Sequence, residues 1–236
     1  MIPRRLHYCW FGGTEPGAKE RFCMDSWKRY CPDFELVRWD ESNSPIEDID
    51  YVAQAYKAKK WAFVSDYVRL KALYEQGGIY LDTDVELRKP LDPFLDRRAF
   101  MGFENPERVG TCLIGAEAGH PFFGELLKQY RSLAFIRPDG TYDYTTNVQR
   151  VSAWLREQGL ICDGTAQTVA GITLYPQTFF SPKDLTTGKT TLSEDTFAIH
   201  HFRASWMPLK NRVNTKLAQL LGPKHTQTIK QLLGRE

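Results

Sequence analysis

The spacing of apolar positions divides the chain into alternating short and long segments. "RLHYCWFGG" opens with a short, mostly apolar run closed by two glycines, the pattern of a buried strand ending in a turn. A helical stretch follows around "KERFCMDSWKRYC", then a strand, "FELVRWD", introduced by Pro32-Asp33. "SNSPIED" reads as a loop feeding a helix with Pro45 near its first turn. The strongest helical signal is "WAFVSDYVRLKALYEQGG", where Phe63, Tyr67, Leu70 and Tyr74 recur at helical spacing and Gly77 supplies the stop. "IYLD" comes straight after it as a strand. Further strands are expected at "AFMGFE", "TCLIGA", "ITLYP" and "TFAIHHF", with helices near 121–133 and 146–158. This alternation predicts an α/β fold around a mostly parallel sheet, which binds ligands at the carboxyl ends of its strands.

Two features sit at such strand ends. One is the turn after Trp10. The other is "GGIYLDTDVE", where Asp82 and Asp84 follow an apolar run and, if the strand continues, share one face. Like charges held that close call for a cation between them. The calcium-loop pattern fails because Leu87 stands where its glycine belongs. Two aspartates suit a hard divalent ion, Mn²⁺ or Mg²⁺, shared with substrate phosphates; a chance pair on a solvated strand end is the bland alternative. Asp66 and Arg69 lie three apart on the long helix, either as a surface ion pair or as part of the same site. Trp10 suits a core aromatic or a platform for a flat base. Of the adjacent His200 and His201, a strand can turn only one toward the site.

Composition changes little: 236 residues, 42% hydrophobic, 25% charged and a formal charge of +2. That charge gives no reason to expect a nucleic-acid partner. It is uneven, however. Residues 207–236 carry six Lys/Arg against Glu236, a net of +5, and leave −3 on the remainder. Val213, Leu217, Leu220 and Leu221 form an apolar stripe there, so a catalytic domain over 1–206 and a basic amphipathic tail over 207–236 are expected. Such a tail can lie on an anionic membrane surface or pack on the domain. Five cysteines without a C-x-x-C pair predict a reducing, cytoplasmic setting, and no run approaches a membrane span.

The pieces "LHYCWFGG", "AFVSDYVRLKALYEQGGIYLDTDVE" and "HHFRASW" together resemble glycosyltransferase family 32, in its bacterial capsular and O-antigen form. They also resemble the catalytic domains of the large clostridial glucosylating toxins. The resemblance implies a GT-A fold, with a Rossmann-like sheet flanked by helices, and retaining transfer of a sugar from a UDP-sugar to a saccharide acceptor. Polysaccharide synthesis and a lipid-linked acceptor at the inner membrane's cytoplasmic face follow from the same likeness. Carried over, Trp10 resembles the residue that stacks on uracil. Ser65, Asp66 and Arg69 resemble the set contacting donor sugar and ribose, and Tyr80 a donor-pocket aromatic. Asp82 is similar to the aspartate touching ribose and metal-bound water, and Asp84 to the direct metal ligand. His201 takes the position of a metal-binding histidine, with His200 the alternative. Ser205 and Trp206 resemble the pair that closes over the diphosphate, with Ala204 where many relatives have glycine. Two other classes compete: a metal-dependent phosphohydrolase with no preference for uridine, and a sugar- or nucleotide-binding module without turnover.

Overall fold

The computed structural model describes residues 1–185 and 187–203. The expected residues Ser205 and Trp206 and the 207–236 tail lie outside the described residues. A seven-stranded sheet forms the centre, in spatial order β2 (Glu35–Trp39), β1 (Arg5–Cys9), β3 (Gly78–Leu81), β6 (Arg108–Ala116), β5 (Ala99–Asn105), β8 (Ile172–Tyr175), β7 (Gln167–Val169). β1 runs parallel to both β2 and β3, and β5 to β8, whereas β6 and β7 run the opposite way. The fold is therefore the expected α/β one, with a Rossmann-like, mostly parallel sheet flanked by helices.

Each face of the sheet carries its own core. On one side α3 (Trp61–Gln76) lies on the central strands, joined by α2 (Asp50–Lys57), α4 (Pro121–Arg131) and α5 (Asn147–Glu157). On the other, α1 (Ala18–Tyr30) packs with an aromatic cluster built on Phe94, Phe100, Phe180 and Phe197. α3 has the predicted bounds: Phe63, Tyr67 and Leu70 are buried, and Gly77 stops it at φ 63°. Tyr74, predicted on the same stripe, is 38% exposed and covers Gly124 instead. The helix expected close behind Pro45 begins only at Asp50, because a turn occupies the intervening residues.

A second sheet was not legible in the sequence. β4 (Val85–Leu87) pairs antiparallel with β9 (Ala198–His200), bringing the chain's late segment back onto the D-x-D. α1 anchors this pair: the Trp27 indole donates to the Val85 carbonyl at 2.7 Å, and the Ser26 hydroxyl accepts from the Leu87 amide at 2.8 Å. Among the described residues no helix is long and apolar enough to cross a membrane.

Candidate functional site

β3 ends at Leu81, so Asp82 and Asp84 do not continue a strand as expected. They sit in a turn closed by the Val85 amide donating to the Asp82 carbonyl at 3.0 Å. The turn aims the carboxylates into one space from different directions.

Asp82, partly buried, belongs to a network built on the buried Arg69 and Asp66. Arg69 Nη1 lies 3.1 Å from Asp82 Oδ1 and also donates to the Thr111 carbonyl at 2.7 Å. Its Nη2 reaches Asp66 Oδ1 at 3.2 Å, and its Nε donates to the Ser65 carbonyl at 3.2 Å. The guanidinium lies 4.5 Å from the Tyr80 ring centroid, while the Tyr80 hydroxyl donates to Asp82 at 2.9 Å. The Asp66–Arg69 pair is thus not a surface ion pair; its side chains are only 10% and 6% exposed. Burial pushes Asp66 and Asp82 upward, with Arg69 pulling each back. Burial opposes the Arg69 charge in turn, but Asp82 and its neighbours hold it well above the ordinary range.

Asn147, which the sequence reading missed, completes the inner side. Its amide and its side chain donate to the Asp66 carboxylate at 3.0 Å and to the Asp66 carbonyl at 2.6 Å. Its own Oδ1 accepts from the Tyr130 hydroxyl at 2.7 Å. Thr146 caps α5 with a full capping box, so the helix start that presents Asn147 is fixed locally. The T-x-x-Q spacing at 146–149 is the signal that announces this start.

Asp84 faces the second sheet. Its Oδ2 accepts from the Arg203 amide at 2.8 Å, and its Oδ1 lies 3.4 Å from His200 Nε2. Arg203 pairs in turn with Glu20 of α1. Asp82, Asp84 and His200 each offer a ligand atom within 4.8 Å of one another. The strand phase is opposite to the one expected: His200 joins the carboxylates, whereas His201 turns to Glu86, with Nε2 3.1 Å from Oε2. The register explains it, since His200 pairs with Val85, next to Asp84.

The electrostatics describe a place for positive charge. Burial works against the charge of Asp84, but His200 outweighs it and holds the carboxyl down at about 2. Burial likewise disfavours the imidazolium, yet Cys112 and Asp84 hold His200 well above its ordinary range. In the metal-free chain the protonated imidazole balances the carboxylate. Two carboxylates and one imidazole fit a hard or borderline divalent ion such as Mn²⁺ or Mg²⁺. His200 Nδ1 is buried without a hydrogen bond, and the ring packs on Phe202 at 4.0 Å between centroids. Glu104 on β5 also senses this space. Burial raises its carboxyl, His200 and Arg108 oppose the rise, and Asp82 adds to it. The sequence showed it only as the acid ending "AFMGFE".

Trp10 is half-buried just beyond β1 and donates from its indole to the Thr14 carbonyl at 2.5 Å. Ser65 turns its hydroxyl back to the Trp61 carbonyl at 3.0 Å. Tyr80 is buried rather than lining an open pocket.

Residues 17–101, the stretch that includes the D-x-D, match the family model described as "Glycosyltransferase sugar-binding region containing DXD motif". Among curated proteins the chain is 32% identical over 142 residues to Inositol phosphoceramide mannosyltransferase 3 of Schizosaccharomyces pombe, covering 57% of this chain and 38% of that protein. It is 26% identical to Mannosyl phosphorylinositol ceramide synthase CSH1 of Saccharomyces cerevisiae, over 56% of this chain and 36% of that one. Uncharacterized glycosyltransferase L373 of Acanthamoeba polyphaga mimivirus is 30% identical, over 54% and 55% of the two chains. The chain spans well under two thirds of these relatives. The fungal names are those of mannosyltransferases rather than of the capsular, O-antigen or toxin enzymes expected. Solved structures are loosely similar: a glycosyltransferase for the PBCV-1 major capsid at TM-score 0.48 and 11% identity, covering 90% and 99%, and the galactosyltransferase LgtC at 0.45 and 13%, covering 92% and 94%.

Proposed function

We propose that the chain is a metal-dependent GT-A glycosyltransferase that moves a hexose from a nucleotide sugar to a saccharide acceptor with retention of configuration. The observation that carries the reading is the Asp82–Asp84–His200 cluster, its ligand atoms within 4.8 Å at the carboxyl edge of the sheet. Asp82, Asp84 and His200 would hold Mn²⁺ or Mg²⁺, which supplies compensation for the negative charge developing on the departing diphosphate. Arg69 keeps Asp82 ionised and oriented, and Asn147 does the same for Asp66. Trp10 offers its ring to the base, which the family resemblance gives as uracil. The sugar C1–O bond to the diphosphate breaks as the acceptor hydroxyl oxygen bonds C1, and the hydroxyl proton passes to the leaving oxygen. No protein base is assigned.

The mannosyl names of the fungal relatives make mannose the first donor sugar to try, and their ceramide names support an acceptor carried on a lipid. A role in surface polysaccharide synthesis rests on the sequence resemblance alone. A cytoplasmic setting rests on the cysteine usage, and contact of residues 209–234 with the inner membrane on the tail's stripe and charge. Deleting 209–236 should then release the protein from anionic vesicles at low salt.

The deciding assay incubates the chain with Mn²⁺ and a panel of UDP- and GDP-linked hexoses. Slow release of nucleotide from one or two donors, abolished by chelation, is expected. Phosphate release from simple esters with no such preference would instead indicate a phosphohydrolase.

A further inference from the structure

The N-terminal end of α3 overhangs the carboxyl edge of the sheet and divides the rim of the site. Trp61 and Phe63, two positions apart, point to opposite sides of the helix. On one side Trp61 lies against the turn after Trp10; a Cβ placed on Gly12 would come within 2.8 Å of its indole nitrogen. On the other, Phe63 meets the Tyr144 ring at 5.7 Å between centroids. Tyr142 and Tyr144 stand edge to face at 6.0 Å, and Phe135 stacks on Tyr142 at 5.2 Å. Lys60 Nζ lies 5.6 and 5.7 Å from the two tyrosine ring centres.

The donor chemistry uses none of these groups. Tyr144 is 45% exposed. Neither tyrosine hydroxyl has a hydrogen bond, and Lys57, Lys59 and Lys60 have no ion pair, among the described residues. Yet the segment is held to the site: Asn147, three residues past Tyr144, bonds Asp66, which lies one turn along α3 from Phe63, about 4.5 Å of rise. A rigid aromatic face with free hydroxyls suits a sugar ring, whose C–H groups pack on the ring while its hydroxyls bond the rim. Unpaired lysines beside it favour an anionic substituent.

We propose that Tyr142, Tyr144 and Lys60 form the acceptor subsite, taking a sugar or cyclitol ring that bears a phosphate. The rings hold the saccharide and Lys60 faces the phosphate. The proposal rests on the glycosyltransferase reading, since a transfer reaction needs a second saccharide beside the donor.

The test is an NMR titration of the full chain with myo-inositol 1-phosphate and with unphosphorylated myo-inositol as probes. Both should bind, the phosphorylated one more tightly. Tyr144→Ala should weaken both at least tenfold, Tyr144→Phe should retain most of the binding, and Lys60→Gln should weaken only the phosphorylated probe. Leu192→Ala, at an exposed position away from this rim, should change neither. Absence of binding by the wild type, or wild-type affinity in Tyr144→Ala, overturns the subsite. Equal loss of both probes in Lys60→Gln overturns the phosphate assignment. A wild type that binds the probes but releases no nucleotide from any nucleotide sugar sinks the transferase reading instead, leaving the saccharide contact measured independently.

Discussion

Asp82 and Asp84 are one residue apart, yet they live in different environments. Asp82 faces inward, where Arg69, Tyr80 and the Thr111 carbonyl satisfy one another in a network running on through Asp66 to Asn147. On the outer side Asp84, its side chain 16% exposed against 26% for Asp82, faces a short sheet whose second strand arrives from more than a hundred residues away, and its charged partner is a histidine that can give up its proton. The inner side holds one guanidinium that never titrates against two carboxylates, a net charge of −1 when both are ionised. The outer side carries an exchangeable positive charge. The difference ties Asp82 to a fixed arginine and Asp84 to a histidine whose proton exchanges with the metal that both aspartates would hold.

The largest effect should come from breaking the inner side. Arg69→Met leaves Asp66 buried and Asp82 partly buried without their cation, and a loss of about 3–5 kcal/mol of stability is expected by urea denaturation. A loss below about 1 kcal/mol would mean that water already screens the network. Asp84→Asn should cost turnover about a hundredfold or more, with a smaller loss of stability than Arg69→Met because only the His200 charge is left without its partner. Near wild-type activity in that variant would return the D-x-D to a solvated turn.

The histidines sharpen the contrast. His200→Ala should lower metal-dependent turnover more than His201→Ala does, the reverse of the order implied by family position. Proton and metal also compete. His200 is held above its ordinary value of 6.5 and Asp84 below its own, at about 2. The Asp84 carboxylate is therefore ionised at any working pH, and metal binding must displace the His200 proton. Manganese affinity should rise with pH up to the raised His200 value and level off above it. The metal-free chain follows the opposite trend: the stability from protonated His200 is complete below 6.5 and is lost as pH rises through its raised folded value. A pH-independent affinity would contradict the exchange. The smallest effect expected is at the base turn, where Trp10→Ala should weaken nucleotide binding by about 1–3 kcal/mol. Unchanged affinity in a folded variant would make Trp10 a packing residue.

Local signals carried much of this. The apolar stripe and glycine stop of α3, the D-x-D behind an apolar strand, and the α/β alternation were all legible because each follows from spacing within one segment. What failed depended on distant segments. The pairing of β4 with β9 decides which histidine faces Asp84, and a three-residue strand gives no periodicity from which to read its phase. Asn147 and Glu104 were invisible for the same reason, since their importance lies in what the fold sets beside them. The burial of Asp66–Arg69 needed Thr111 and α5, which arrive much later in the chain.

The most direct test of the exchange between proton and metal is a manganese titration at pH 7.5 in the presence of a nucleoside diphosphate, followed by electron paramagnetic resonance. The wild type and His201→Ala should each bind one ion per chain. Asp84→Asn and His200→Ala should lose it while remaining folded. Undiminished binding in Asp84→Asn, or loss in His201→Ala with His200→Ala unaffected, would contradict the assignment of the outer side.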